Sequence, residues 1–225
     1  MSEILNLHNE LKNIFSTFQN VNLNENTNLN GCKWDNNLFF SPSIRYGHLE
    51  YFCGSNDKIE VLHNVIYPCY FKAIPIFGFD VISLGGKITG IFLDFTPSPF
   101  DSADLRKLQE TVKHELKDYS RSLPDWAKFF SPDFLALFPN NNFNEIKEKC
   151  FFLLIEYLRF CEYNDFDSYY LNKEETIKHI TGQNEYSINQ RKNTKTQKAL
   201  AKYIGDEKAK EFIERVLFPT YRAAF

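Results

Sequence analysis

Short, largely apolar runs mark the chain between residues 37 and 96. These runs are rich in aromatic and β-branched residues and are separated by turn sequences such as GSND and GG, a combination that predicts strands. The predicted strands cover residues 37–41, 45–53, 59–67, 79–84 and 88–96. Because the turns between them are short, we expect an antiparallel meander.

Helical periodicity flanks the strands on both sides. Residues 3–18 repeat apolar positions at helical spacing, and the Asn-rich stretch 20–31 that follows predicts a loop. After Pro99 the pattern becomes helical again, with Ser102 as a predicted N-cap. The later predicted helices cover residues 102–123, 143–164, 173–204 and 206–218. An aromatic connection with three prolines, residues 123–142, lies between the first two of them.

Several predicted strands are apolar on both faces, so both faces of the sheet need a covering layer. One face of residues 45–53 carries Tyr46, His48, Glu50 and Phe52, and the other carries Leu49, Tyr51 and Cys53. We therefore expect an α+β fold with helices on both faces of an antiparallel sheet, in a single domain over residues 1–225. His48 and Glu50 are then polar groups on a covered face.

Composition and charge narrow the class of protein. Hydrophobic residues make up 43% of the chain and aromatic residues 16%, enough for a large core and for a pocket that takes a flat ligand. The net charge of −3 gives no sign of nucleic-acid binding. Residues 187–225, however, hold nine Lys or Arg against four Asp or Glu. This basic end either attracts an acidic partner or an anionic ligand, or is a solvated helix face.

The five cysteines are scattered and form no CxxC pair. An odd number of cysteines without the spacing of a disulfide framework is typical of reduced thiols in a cytosol-like compartment. The histidines and cysteines also lack metal-ligand spacing, so we expect no metal site. The N-terminus is charged and amphipathic, unlike a signal peptide, and no apolar run approaches the roughly 20 residues of a membrane span. We expect a soluble, cytoplasmic monomer.

Two residues are candidates for chemistry, Asp80 and His48. Asp80 stands in the middle of the apolar run PIFGFDVISL, where a buried carboxylate is costly unless it is hydrogen-bonded or protonated. Burial raises the pKa of a carboxyl group and would let it deliver a proton near neutrality. We expect Asp80 and His48 on neighbouring strands, facing one pocket. Each residue alone is more commonly structural, and no nucleotide-binding, hydrolase or zinc-protease motif accompanies them.

Four segments of the chain carry motifs that occur together in one family of proteins. One segment ends in the R-x-x-H-L-E of IRYGHLE and another contains the P-x-F-G-x-D of PIFGFD. The others match an L-P-E-W-x-x-x-F-S stretch and a C-terminal N-x-K-T and V-L-F block. The matching segments are residues 35–50, 62–97, 123–132 and 181–219. With these motifs the chain resembles the ferredoxin-dependent bilin reductases, most closely the phycocyanobilin-forming subgroup.

The resemblance implies a three-layer α/β/α sandwich with a central antiparallel sheet. It implies that biliverdin IXα lies between the sheet and the C-terminal helices. Ferredoxin then delivers electrons one at a time through substrate radicals, no cofactor is bound, and side chains supply protons. By position, Asp80 resembles the central catalytic aspartate, and His48 resembles a histidine that bonds and protonates the lactam side of the bilin. The residues that match pocket positions are Gln190, Asn193 and Lys195.

Three positions depart from the family pattern. Asp35 aligns with a glutamate that the phycocyanobilin-forming subgroup needs for the D-ring vinyl group, and Thr194 replaces an aspartate that serves A-ring reduction or substrate placement. Phe138 replaces an arginine that holds a propionate, so Lys195 or Arg45 is expected to bind the propionates instead.

These departures favour phycoerythrobilin as the product, formed from biliverdin IXα through 15,16-dihydrobiliverdin by four-electron reduction. The alternatives are phycocyanobilin, arrest at 15,16-dihydrobiliverdin, a reductase of chlorophyll breakdown products, and a bilin carrier without activity. A basic rim is expected to dock acidic ferredoxin. Its residues are Arg191, Lys192, Lys198 and Lys202. The expected compartment is the cytoplasm of a cyanobacterium or a phage-infected cell, or a plastid.

Overall fold

A single sheet of seven strands, each antiparallel to the next along the chain, forms the middle of the molecule. The strands are β1 (Gln19–Asn22), β2 (Lys33–Ser41), β3 (Ile44–Cys53), β4 (Ile59–Pro68), β5 (Ile76–Leu84), β6 (Lys87–Thr96) and β7 (Leu135–Leu137). Their order across the sheet is their order in sequence, so the predicted meander is confirmed.

The structure is a computed structural model that describes residues 2–23, 31–55, 58–100, 102–122, 130–139, 142–162 and 170–221. Its helices are α1 (Glu3–Phe15), α2 (Ala103–Glu115), α3 (Phe143–Glu162), α4 (Lys173–Arg191), α5 (Thr194–Ile204) and α6 (Asp206–Phe212). A 3₁₀ turn, Lys117–Tyr119, follows α2, and a π-helical turn, Ile213–Leu217, follows α6. Most of the LPDWAKFFS segment, residues 123–129, lies outside the described residues.

Two apolar clusters show that the sheet is covered on both faces. Helices α1, α2 and α3 pack on one face through Leu7, Val112 and Leu153, among others. Helices α4, α5, α6 and the π-helical turn pack on the other through Tyr186, Leu200 and Ile213. The expected α+β sandwich of three layers is confirmed. We call the side covered by α4–α6 the C-terminal face.

The sequence pattern missed the two outermost strands. β1 is an exposed Asn-rich edge strand that overlaps the start of the predicted loop 20–31, and β7 is a three-residue strand inside the predicted aromatic connection. Both are held by pairing with a longer neighbour, β2 and β6, so neither carries much signal of its own. The first helix also ends at Phe15 instead of residue 18. Ser102 is the N-cap of α2, as predicted, and accepts a hydrogen bond from the Leu105 N–H.

Local contacts fix α4 over the sheet. Asn172 and Glu175 form a capping box at its first turn. Gly182 lies against the Ser98 backbone, where a Cβ would approach a carbonyl carbon to 2.6 Å, so this close approach requires glycine. At the other end, the Arg191 guanidinium donates to the carbonyls of Phe218 and Glu214. Helix α4 is thereby tied to the chain that follows the π-helical turn.

All five cysteines are buried and carry free thiols. Within the described ranges, none of the helices combines the length and apolar character needed to cross a membrane.

Candidate active site

Three titratable residues lie side by side across the middle of the sheet. Glu50 on β3 pairs with His63 on β4, and His63 pairs with Asp80 on β5. Directly paired residues share a face, so all three side chains lie on the C-terminal face. His48, two residues before Glu50, lies on the same face. We call Glu50, His63 and Asp80 the polar row.

The prediction that His48 and Asp80 lie on neighbouring strands was wrong, because β4 runs between their strands. His63, the residue that β4 contributes, was considered in the sequence only as a possible metal ligand. Knowledge of the strand order would have identified it, because the alternation within residues 59–67 places His63 on the same side as Val65.

His63 and Asp80 form a close pair. His63 Nδ1 lies 2.6 Å from Asp80 Oδ1. Burial lowers the pKa of His63, but the charge of Asp80, the hydrogen bond to it and the charge of Glu50 together outweigh burial. The pKa of His63 is therefore raised above its ordinary value, and the pair favours an imidazolium beside a carboxylate.

The side chain of Asp80 is more exposed to solvent than the sequence predicted. The side chain of Asp80 is 41% exposed, whereas that of His63 is 12% exposed. Phe77, Phe79 and Val81 are buried, alternate with Asp80 and point to the other face, whereas Ile76 is buried on the face that carries Asp80. The apolar character of the run therefore comes mainly from the opposite face, and the expectation of a fully buried Asp80 was wrong.

Glu50 is the enclosed carboxyl of the polar row, with 4% exposure. Trp34 Nε1 donates to its Oε1 at 2.6 Å. Burial raises the pKa of Glu50 by more than the charge of His63 and the Trp34 hydrogen bond lower it. A carboxyl group whose pKa is raised in this way can hold a proton and donate it.

His48 is completely buried, and its Nε2 lies 3.1 Å from Asn36 Oδ1. Burial, and then the nearby charge of His63, lower the pKa of His48 well below its ordinary value, so this imidazole is neutral. Two ring nitrogens on this face, His48 Nδ1 and His63 Nε2, have no hydrogen-bond partner among the described residues.

Asp35 does not belong to this constellation. It pairs with Tyr51 and lies on the opposite face, beneath α1, where Lys12 Nζ binds its Oδ2 at 2.8 Å. Burial raises the pKa of Asp35, but Lys12, His8 and Asn37 lower it to a net value below the ordinary one. The neighbouring residue on β2, Asn36, faces the polar row instead, because adjacent strand residues point to opposite sides.

Aromatic rings cover the site from above. Phe212 lies against Trp34 and His48, with ring centroids 4.6 Å and 6.2 Å away. Phe218 lies 5.6 Å from the His63 ring, and Tyr186 on α4 packs against Phe218. The polar row is therefore bordered by aromatic rings, a lining that suits a flat ligand with an apolar body and polar edges.

Arg45 lies beside this aromatic cover, on the strand that carries His48. Its Nε donates to Gln183 Oε1 at 2.6 Å, and its guanidinium lies 4.6 Å from the Tyr67 ring centre. Burial lowers the pKa of Arg45, although the surrounding tyrosines raise it. Its Nη2 is buried without a partner, and within the described ranges the structure gives Arg45 no carboxylate.

The predicted pocket residues on the C-terminal helices have different surroundings. Gln190 is half-buried near the Tyr186 hydroxyl, and the Asn193 side chain caps α5 by accepting from the Lys195 N–H. Thr194 and Lys195 are exposed on the first turn of α5. The structure brings Asp80 and His48 to one face, whereas Asn193 has a capping role that the sequence analysis did not assign.

In the described part of the chain, no three His, Cys, Asp or Glu side chains are placed to hold a metal ion. What the site offers is proton chemistry: an imidazolium–carboxylate pair, an enclosed carboxyl with a raised pKa, and a neutral imidazole under an aromatic cover.

Replacing Asp80 by Asn tests the charged pair. We expect the pKa of His63 in D80N to fall below its ordinary value, because burial remains while the main opposing charge is lost. Titration of the ring nitrogens by ¹⁵N NMR measures this, and D118N, a change at an exposed turn, should leave the pKa of His63 unchanged. A His63 pKa that stays raised in D80N would contradict the assignment.

Comparison with known proteins identifies relatives of this chain. A phycocyanobilin:ferredoxin oxidoreductase of Prochlorococcus marinus is 31% identical over 195 residues, which cover 81% of this chain and 74% of the relative. The enzyme of the same name from Trichodesmium erythraeum is 28% identical over 190 residues, which cover 81% of this chain and 75% of that protein.

Two solved structures share the fold. The structure of PcyX is 22% identical with a TM-score of 0.62, covering 98% of this chain and 100% of PcyX. Tomato phytochromobilin synthase, solved in complex with biliverdin, is 18% identical with a TM-score of 0.65, covering 96% of this chain and 81% of the synthase. The family model for ferredoxin-dependent bilin reductases matches residues 3–219. This chain therefore belongs to the ferredoxin-dependent bilin reductase family and is a ferredoxin-dependent oxidoreductase.

Proposed function

We propose that this protein reduces biliverdin IXα with electrons from ferredoxin, and that the polar row supplies the protons. The observation that carries the proposal is the register across β3, β4 and β5, which aligns Glu50, His63 and Asp80 on one face beneath aromatic rings. The tetrapyrrole lies on this face, between the sheet and the helices α4–α6.

Each double bond that is reduced takes up two electrons and two protons. Ferredoxin provides the electrons singly, and every added electron makes the tetrapyrrole a stronger base. The His63 imidazolium, paired with the Asp80 carboxylate, gives a proton at the open end of the polar row, and Glu50 gives a proton at its enclosed end. Thr194 has no acidic proton to give, so A-ring reduction draws its protons from the Asp80–His63 pair.

The position of Glu50 changes the product that we propose. Phycoerythrobilin, formed through 15,16-dihydrobiliverdin, was expected because Asp35 stood in for a glutamate that serves the D-ring vinyl group. Asp35 lies on the opposite face, and Glu50 is a glutamate on the correct face. We therefore assign the D-ring role to Glu50 and propose phycocyanobilin as the product, in line with the names of the two relatives.

An anaerobic assay with biliverdin IXα, ferredoxin, ferredoxin reductase and NADPH tests this function. We expect phycocyanobilin, identified by absorbance and chromatography. E50Q should still bind biliverdin but release a product that keeps its D-ring vinyl group, because the enclosed proton donor is lost. E115Q, on the exposed surface of α2, is the matched control.

Phycoerythrobilin from the wild-type protein would contradict the product and restore the expectation from the sequence. An unchanged biliverdin spectrum in the presence of reduced ferredoxin would contradict the enzyme and favour a bilin carrier.

We propose that Arg45 binds a propionate group of biliverdin. A guanidinium that is held in place, with a buried N–H unpaired, is suited to a carboxylate from the ligand. Lys195, the other residue expected to bind propionate, is exposed at the start of α5 and offers a weaker contact.

Esterified substrate tests the role of Arg45. We expect wild-type protein to bind biliverdin about tenfold or more tightly than its dimethyl ester, the effect of one charge-assisted hydrogen bond. In R45Q this preference should disappear, mainly through weaker binding of the diacid. R159Q, an exposed arginine of α3, should behave as wild type. Titrations followed by absorbance measure the affinity for each ligand. An undiminished preference for the diacid in R45Q would mean that other residues bind the propionates.

Ferredoxin docking is assigned to exposed lysines of the C-terminal helices. Lys198 and Lys202 are one helical turn apart on α5, and Lys192 lies just before α5. Arg191 was expected in the same group, but its guanidinium is occupied by the carbonyls of Phe218 and Glu214. Removing it would loosen the cover of the site, so we leave Arg191 out of the docking surface.

Charge reversal tests this surface. We expect the double variant K198E and K202E to raise the KM for ferredoxin severalfold with little change in kcat, because steering by charge acts on association. Turnover of the wild type should slow as ionic strength rises. K107E with K117E, exposed lysines near α2 on the other layer, is the control. Equal ferredoxin KM values for both double variants would place docking elsewhere.

A further inference from the structure

The partner of His48 determines which of its nitrogens carries the proton. His48 Nε2 lies 3.1 Å from Asn36 Oδ1, and both residues are buried, with 0% and 4% exposure. An amide oxygen only accepts hydrogen bonds, so Nε2 must donate. In a neutral imidazole the other nitrogen, Nδ1, then carries a lone pair and no proton.

We propose that Asn36 is a positioning residue that fixes His48 as its Nε2–H tautomer, so that Nδ1 accepts a hydrogen bond from an N–H of the bound tetrapyrrole. The tautomer of His48 is a property of this chain alone. The acceptor role of Nδ1 rests on the proposed function, because it names the ligand.

The surroundings of His48 favour a neutral acceptor. Glu50 lies two residues along the same strand, and the His63 ring lies 5.7 Å away on β4. From the helix side His48 meets only the Phe212 ring among the described contacts, so no carboxylate is paired with it there. A second positive charge beside His63 would be repelled, whereas a neutral ring with an unpaired acceptor is ready for a donor.

This assignment changes the role expected for His48. The family resemblance suggested that His48 protonates the lactam side of the bilin. A ring whose N–H is held by Asn36 has no proton at Nδ1 to give, and the rings of biliverdin present N–H groups that need acceptors. His48 therefore orients the ligand, and protons come from the polar row.

The tautomer can be measured on the ligand-free wild-type protein. We expect ¹⁵N–¹H correlation spectra of histidine-labelled protein to show a protonated Nε2 and an unprotonated Nδ1 for His48, assigned with H48Q. A protonated Nδ1 with a bare Nε2 would overturn the proposal. Because this experiment needs no change at Asn36, it does not depend on the folding of a variant at that position.

Two variants of Asn36 separate positioning from packing. N36D places a carboxylate at Nε2, so the pKa of His48 should rise and Nδ1 should gain a proton that faces the ligand N–H. We expect biliverdin to bind about tenfold more weakly near neutral pH and to recover as the pH rises through the new pKa of His48. N36L removes the acceptor, and we expect mixed tautomers and weaker binding without that recovery.

The matched control is N37L, the next asparagine of β2. Its side chain faces the opposite side of the sheet and donates to Asp35 Oδ1, so the tautomer of His48 and the affinity for biliverdin should not change. Wild-type affinity in N36L, or binding in N36D that does not depend on pH, would overturn the positioning role. If wild-type protein bound no biliverdin, the proposed function and the acceptor role would both fail, and the spectrum alone would decide whether Asn36 fixes the tautomer.

Discussion

The ion pair between His63 and Asp80 is the interaction on which the rest of the site depends. A charged imidazole under an aromatic cover is stable only because the carboxylate lies 2.6 Å away. Once that pair is present, its charge acts on both neighbours. It opposes protonation of His48 and partly offsets the burial of Glu50. The protonation states of four residues on three strands are therefore coupled, and none can be assigned from its own surroundings alone.

The second constraint is the two-residue period of a strand. On β2, Asp35 and Asn36 are adjacent, yet one forms an ion pair beneath α1 and the other binds His48 on the opposite side of the sheet. A shift of the register by a single residue would exchange their positions. The apolar layers prevent that shift, because it would move Phe39 out of the cluster beneath α1–α3 and Trp34 out of the cluster beneath the C-terminal helices.

Much of the architecture can be read from the sequence, since short apolar runs and turns define the long central strands and the apolar content on both faces requires two helical layers. Asp80 and His48 stand out because a polar residue inside an apolar run is costly. His63 does not stand out, because its importance comes from its partner, and strand order is needed to identify that partner. Asp35 shows the opposite error, in which a carboxylate at a plausible position in an alignment lies on the wrong side of the sheet.

The two ends of the polar row differ in their access to water. The side chain of Asp80 is 41% exposed, whereas Glu50 is only 4% exposed. A proton lost at the Asp80 end can be replaced from solvent while the ligand stays in place, whereas a proton lost at the Glu50 end cannot be replaced so easily. The Asp80 end of the row can therefore supply protons repeatedly to one bound ligand, whereas the Glu50 end supplies a single proton. Successive reductions of one bound molecule then follow an order set by water access as well as by the reactivity of the rings.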